Sequence, residues 1–360
     1  MLRLLLGFVF GALPYVALAE LRTWTTTDGR KAQGEIFEIE GDQIGLRIAN
    51  REYRFPLSRF IEVDRSYARK WQSQPRCELC SKTLGTRTME AGGKTYHTAC
   101  FRCLVCKKVF KGGDKFRRDQ WGTLVHVDHF SFVATCGSCG RMFAKREAKR
   151  EQILDSNRFA CLNCLSNAVL EEKALGLVNE RVKKALAKIG IGKPKGKVTL
   201  VLVDKPTLDQ EAKRIRASGK LKGLTLTKFR TVTKGNVSNT TFEHRILVLY
   251  GLPHTECEAV LAHEHMHVWL NELFVEAPPD VIEGFCNLGA SNLLKIETNK
   301  LSSILLDNMQ KSTSPTYGEG YRKMSAKLSR LGWPRLIAEM RSRGKRKLSL
   351  IHISEPTRPY

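Results

Sequence analysis

The alternation of apolar and polar positions changes character several times along the chain. From 20 to 71, Ile36, Ile39, Ile44, Leu46 and Ile48 fall at largely alternating positions around the turn pairs Asp28-Gly29 and Gly41-Asp42. This pattern predicts a small β domain opening with a strand at 21–25. From 166 to 190, Val169, Leu170, Ala174, Leu177, Val178, Val182, Ala185, Leu186 and Ile189 recur at helical intervals, and Gly190, Gly192, Pro194 and Gly196 then break the helix. Residues 197–204 (KVTLVLVD) and 243–250 (EHRILVLY) read as strands. Between them, 205–240 is polar and basic, which predicts a helix, a turn and irregular structure. Next comes a run rich in buried types, with Ala259, Val260, Leu261, Ala262, Met266, Val268, Trp269 and Leu270, a helix started by Thr255, Glu256 and Glu258. Pro278, Pro279 and Asp280 start another helix, which a loop at 271–277 folds back against the first.

The first of these two helices carries H-E-x-x-H at 263–267. Positions i and i+4 share one helix face, so His263 and His267 can present two imidazoles to one metal ion. Glu264 is then placed to hold and deprotonate a water on that ion, as in zinc peptidases. His265 points roughly 200° away around the helix, so it is read as a packing residue or an outer contact. Catalytic zinc takes three protein ligands and keeps one place open. Glu283, in the first turn of the following helix with Asn287 four residues on, supplies the third; its alternative role is to serve the helix dipole. Tyr317, Tyr321, His254 and His244 are candidates to meet the oxyanion, with Tyr317 preferred. The strand at 243–250 directly precedes the metal helix and is expected to form the sheet edge on which an extended substrate lies.

The eleven cysteines fall into a pattern of their own. Cys77-x2-Cys80 is followed by His97-x2-Cys100, and Cys103-x2-Cys106 by His126-x2-His129. Each C-x-x-C aims two sulfurs at one tetrahedral ion, so these eight residues make two closed zinc sites, with Asp128 a competitor for the place of His129. Cys136, Cys139, Cys161 and Cys164 form a third set at ribbon spacing, a structural zinc with disulfides as the alternative. Cys257 and Cys286 remain, either as buried thiols or as a disulfide between the two helices.

The expected organisation is a signal peptide at 1–19, a β domain at 20–71, a two-zinc module at 75–132, a four-cysteine ribbon at 133–168, a helix and linker at 169–196, and an α+β metal domain at 197–345. The first segment has a positive start, an apolar run from Leu4 to Ala19 and a small-x-small site before Glu20, a secretory signal. It predicts export to the periplasm or outside the cell; an uncleaved membrane anchor is the alternative. Residues 349–360 fit nothing before them and resemble translated adaptor read-through, a non-native tail. The net charge of +24 is read as a solvated basic surface, with an acidic surface as the alternative partner. It also suits nucleic acid, but aromatic interleaving and base-reading helix spacing are lacking, so no specific nucleic acid is expected.

Several resemblances follow from these residues. The order Arg22-Thr23-Trp24-Thr25, Asp28-Gly29-Arg30 and Phe55-Pro56-Leu57-Ser58 resembles the SH3-like β-barrel of endocytic actin-assembly adaptors, which implies a binding role. The eight-ligand array resembles a LIM domain, with His126 where a cysteine is usual. Cys136-Gly137-Ser138-Cys139-Gly140-Arg141-Met142, Cys161-Leu162-Asn163-Cys164, residues 246–253 (ILVLYGLP), Leu261-Ala262-His263-Glu264, Glu283-Gly284 and residues 317–322 (YGEGYR) resemble the LIM-domain metallopeptidases known from plants as ubiquitin-activated regulators of organ size. The plant proteins are intracellular and many carry ubiquitin-interacting helices, so ubiquitin dependence is not carried over. The resemblance implies a multi-domain α+β protein with a small β-barrel, a LIM domain, a zinc ribbon and a zincin-like peptidase domain. It implies one catalytic and about three structural zincs, and a secreted hydrolase, a metalloprotease acting on protein or peptide substrates. Protein partners through the LIM and β domains are also implied. The rivals are an inactive, zinc-stapled protein-binding scaffold and, after it, a nucleic-acid-binding zinc protein.

Overall fold

A computed structural model describes residues 21–345 apart from 50, 81, 156–157, 218, 220, 235–236 and 298. The expected signal segment at 1–19 and tail at 349–360 lie outside the described residues. The chain forms a multi-domain α+β structure that divides into two compact units, Met1–Arg102 and Cys103–Tyr360.

In the first unit, β1 (Arg22–Thr25), β2 (Lys31–Glu40), β3 (Gln43–Ile48) and β4 (Arg51–Pro56) pair antiparallel in sequence order. An isolated bridge joins Thr26 to Phe60. Trp24, Ile44, Leu46, Phe60 and Ala68 make the core, which includes the helix α1 (Glu62–Ser73). Asp64 of α1 accepts from the Thr25 amide at 2.7 Å and from Arg22 at 2.7 Å, tying the helix to β1. The unit ends with the hairpin of β5 (Thr88–Ala91) and β6 (Lys94–His97), whose last residue, His97, belongs to one Cys/His set.

The second unit opens with three more hairpins. β7 (Phe116–Arg118) pairs with β8 (Leu124–His126), β9 (Val133–Thr135) with β10 (Met142–Ala144), and β11 (Ile153–Asp155) with β12 (Arg158–Phe159). The short α2 (Leu162–Leu165) follows, then α3 (Glu172–Lys188), whose buried Leu175, Val178, Val182 and Leu186 keep the helical spacing of the sequence. β13 (Lys197–Val203) leads into α4 (Lys205–Arg214), capped by Asp204, whose side chain accepts from the Thr207 amide at 2.9 Å. Two long strands come next, β14 (Gly223–Lys234) and β15 (Val237–Leu249).

In the region 205–240, expected to hold a helix, a turn and irregular structure, α4 is the helix, while β14 and the start of β15 form strands that were not expected. The sheet order is β13-β15-β14, with β13 parallel and β14 antiparallel to β15. The strand at 243–250 is thus the centre of the sheet and not its edge, which corrects its expected place as a substrate ledge. Strands β13 and β14 hold the two edges.

Behind the sheet, α5 (His254–Glu272) is buried on nearly every side, and Glu256, Glu258, Glu264, His265 and Glu272 are buried along with its apolar residues. Helix α6 (Pro279–Ile296) packs against it, followed by α7 (Lys300–Lys311), a π-helical turn at Pro315–Glu319, and α8 (Gly320–Lys345), interrupted at Gly332. Gly289 lets α6 approach closely, because an added methyl there would lie 2.6 Å from Met266 of α5. No helix among the described residues is long and apolar enough to cross a membrane.

Candidate metal centre

Two turns of α5 and one of α6 converge at the centre of the second unit. His263 Nε2 lies 3.1 Å from His267 Nε2 and 3.1 Å from Glu283 Oε2. The other oxygen of Glu283 is 3.6 Å from His267 Nε2. Donors bound to one tetrahedral zinc at ~2.0–2.1 Å sit roughly 3.3 Å from one another, so this set fits the ion. Glu283 lies one residue beyond the expected first turn of α6, where burial opposes its ionisation but the two imidazoles hold its carboxyl far below the ordinary range. Burial likewise disfavours the charged form of His263, and the same carboxylate overcomes this and raises its pKa. Glu283 Oε2 is buried without a hydrogen bond, which suits an atom reserved for a cation.

The outward nitrogen of His263 is also placed. Its Nδ1–H donates to Asn287 Oδ1 at 3.0 Å, which leaves Nε2 as the acceptor facing His267 and Glu283. Asn287 Nδ2 donates onward to the carbonyl of Tyr317 at 3.3 Å, linking the π-helical turn to the metal face. Burial, with Glu283 and Glu264 nearby, raises the Tyr317 hydroxyl above its ordinary value. Of the other oxyanion candidates, His244 is fully engaged elsewhere. It sits 2.9 Å from Thr227 Oγ1 and 3.1 Å from Glu272 at the far end of α5. His254 is exposed at the start of α5, and Tyr321 is buried at the start of α8. His265 is buried and contacts Asn179 Oδ1 of α3 at 2.6 Å, away from the ion's position.

Glu264 is 5% exposed, and its Oε2 accepts from Thr225 Oγ1 of β14 at 2.8 Å. Gly223 of the same strand lies flush against it: an added methyl would stand 2.6 Å from Glu264 Oε1. Neither residue stands out in the sequence as a site residue. The signal available was the alternation Gly-Leu-Thr-Leu-Thr at 223–227, which places Gly223, Thr225 and Thr227 on one face of a strand.

Cys286 and Cys257 are both free thiols, which removes the expected alternative of a disulfide between the helices. The Cys286 sulfur falls within 4.8 Å of ligand nitrogens of both His263 and His267. Burial raises its pKa well above the ordinary thiol value, and burial pushes Cys257 up to about 12.

Three further clusters are zinc-binding Cys/His groups, each with its donor atoms mutually within 4.8 Å: Cys77, Cys80, His97 and Cys100; Cys103, Cys106, His126 and His129; Cys136, Cys139, Cys161 and Cys164. They reproduce the three sets expected from spacing. His129, not Asp128, completes the second, with Nδ1 3.4 Å from Cys103 Sγ. The sulfurs of the third are all buried, as a closed structural site requires.

Residues 77–133 match the LIM domain family, and residues 193–303 match the DA1-like family, described as Protein DA1. Protein DA1 of Arabidopsis thaliana is 24% identical over 336 residues, covering 75% of this chain and 62% of its own length. DA1-related 1 of the same plant is 26% identical over 286 residues, covering 69% of this chain and 51% of its own. The chain thus spans less than two thirds of these relatives. Filamin-binding LIM protein 1 of Bos taurus is 27% identical over 118 residues, covering 32% of this chain and 31% of its own. A LIM domain, a DA1-like domain and this homology together relate the chain to the DA1 proteins.

Proposed function

We propose that the chain is a zinc-dependent endopeptidase whose metal is held by His263, His267 and Glu283. The observation that carries this reading is the set of three donors at 3.1, 3.1 and 3.6 Å on two packed helices, with Glu264 next in sequence to the first of them. A zinc ion there supplies Lewis acidity toward a scissile carbonyl and a water whose pKa falls to about 7. Glu264 takes the water's proton and hands it to the leaving amine. Thr225 orients that carboxylate through one oxygen and leaves the other for the proton. An extended peptide pairs along the free edge of β14, beside Glu264, by main-chain hydrogen bonds. Tyr317 donates to the developing oxyanion; burial keeps it protonated and able to do so.

The decisive variant is Glu264→Gln. It should bind a full complement of zinc and lose turnover of an unfolded protein substrate by at least about a thousandfold, the scale expected for a lost general base with its hydrogen bonding. Retained proteolysis removes Glu264 from the mechanism.

A second reading has a specific observation in its favour. Cys286 lies near enough to both imidazoles to take the place left for water, which would close the site and make the domain a zinc-braced scaffold. In that case the native chain shows no turnover and Cys286→Ala leaves the zinc in place with a new exchangeable position. Under the peptidase reading Cys286 is packing, and the native chain is already active.

The remaining parts of the proposal rest on the modules. The LIM domain recruits protein partners, as the name of the filamin-binding relative says of that protein. The β1–β4 meander, read as SH3-like, is a second binding module. Export is part of the reading, carried by the apolar run from Leu4 to Ala19. Sequencing the N-terminus of the exported chain should find Glu20 first; an intact Met1 in the cytoplasmic fraction would remove export.

A further inference from the structure

We propose that the four-cysteine ribbon is a positioning element of the metal centre: it caps α5 and pins the start of β14, so its own metal sets the alignment of Glu264. The inference rests on the peptidase reading of that centre, while its first readout, amide exchange, does not.

Helix α5 starts without a cap of its own. Its N-cap residue is Pro253, whose side chain accepts nothing, and the first amides of a helix need outside acceptors. The ribbon supplies one, since the His254 amide donates to the Asn167 carbonyl at 2.8 Å. Asn167 belongs to the turn that closes α2, where its amide donates to the carbonyl of Cys164. The pairing continues backwards along the chain. Ala168 bridges to Pro253, the Val169 amide donates to Leu252 at 2.8 Å, and the Gly251 amide donates to Val169 at 3.1 Å. Leu154 of β11 covers Gly251, where an added methyl would meet it at 2.9 Å. The second Cys-x-x-Cys turn thus lies against the start of α5.

The first Cys-x-x-Cys turn reaches the same place from the other side. The carbonyl of Gly137, between Cys136 and Cys139, accepts from Lys222 Nζ at 2.8 Å. The same ammonium pairs at 2.5 Å with Glu256, a buried carboxylate in the first turn of α5. Lys222 directly precedes Gly223, which abuts Glu264, and the Lys222 carbonyl accepts from the Leu249 amide at 2.9 Å, fixing β14 on β15. Both halves of one four-sulfur site therefore hold the helix and strand that meet at Glu264. Only a bound metal keeps four thiolates together, so the two turns hold their positions only while the ribbon is loaded.

The test uses the full chain with hydrogen exchange read on the segment 254–262, together with zinc content and steady-state proteolysis. In Cys164→Ser, exchange at the first amides of α5 should quicken at least tenfold, with about one zinc lost. The rate constant kcat should fall while KM changes little, because the alignment of Glu264 and not the docking of substrate is disturbed. Lys222→Met keeps the ribbon metal and should lower kcat several-fold, and Lys222→Arg should restore most of it. Unchanged protection at 254–262 in Cys164→Ser overturns the proposal, as does a Lys222→Met chain with native kcat. If Cys164→Ser does not fold, the Lys222 pair decides. A native chain with no turnover refutes the peptidase reading, and the exchange result then still decides whether the ribbon holds α5.

Discussion

His263 uses its two ring nitrogens for different ends, and the outer one is the more informative. Asn287 Oδ1 accepts from Nδ1–H and thereby fixes which nitrogen faces His267 and Glu283, while its amide group holds the Tyr317 carbonyl. Partners of this kind orient metal ligands, and their loss typically costs 10–100-fold in metal affinity. Asn287→Ala should therefore weaken zinc at this centre by roughly that factor and loosen the π-helical turn that carries Tyr317. Competition against a chelator of known affinity measures it, and an unchanged affinity would show that His263 is held by packing alone. Asn287→Asp keeps the acceptor for Nδ1–H and should retain most of the affinity.

Strand β14 is where the element scale matters most. Gly223 has no side chain because Glu264 Oε1 and Val260 Cγ1 occupy the space, each 2.6 Å from where a methyl would be. Gly223→Ala should push the edge strand off α5, destabilise the domain by about 1–3 kcal/mol as overpacking does, and lower activity more than stability. Urea unfolding and kcat on the same preparation separate the two effects; a variant with native kcat would mean that β14 does not set the position of Glu264. This strand also marks the limit of what could be read from sequence. Helices α5 and α6 were legible because their cues are local: two histidines one turn apart, an apolar run, and a Pro-Pro-Asp start. The three Cys/His sets were legible from their spacing for the same reason. Strand β14 was not, because its Thr, Lys and Arg residues look like loop composition, and only pairing with β15 makes them a ladder. Thr225 on Glu264 and Asn179 on His265 come from distant elements, 39 and 86 residues away in sequence, so the alternation at 223–227 gives a strand face but no local pattern gives either contact. Sequence does not fix the state of Cys286 for a similar reason, since helix spacing gives its face but not what lies across from it.

At the scale of the whole molecule, three Cys/His clusters and one proposed metal centre of a different chemical kind share one chain. The Cys/His sets are closed by four protein donors each, rich in thiolate, and the ribbon's sulfurs are fully buried. The fourth site has two imidazoles and a carboxylate, with His263 and His267 partly exposed, and no thiolate among its proposed ligands. Thiolates bind zinc more tightly than nitrogen and oxygen donors, and a site with an open position loses metal faster. A graded chelator titration should therefore run in two stages. The first releases one zinc and abolishes turnover while circular dichroism stays native. The second, at higher chelator, releases the rest and unfolds the zinc modules cooperatively, because binding free energy at closed sites is folding free energy. Adding one equivalent of zinc after the first stage should restore activity without refolding. If structure is lost before activity, or the two are lost together from the first equivalent, the centre on α5 and α6 is as closed as the others and its metal serves the fold.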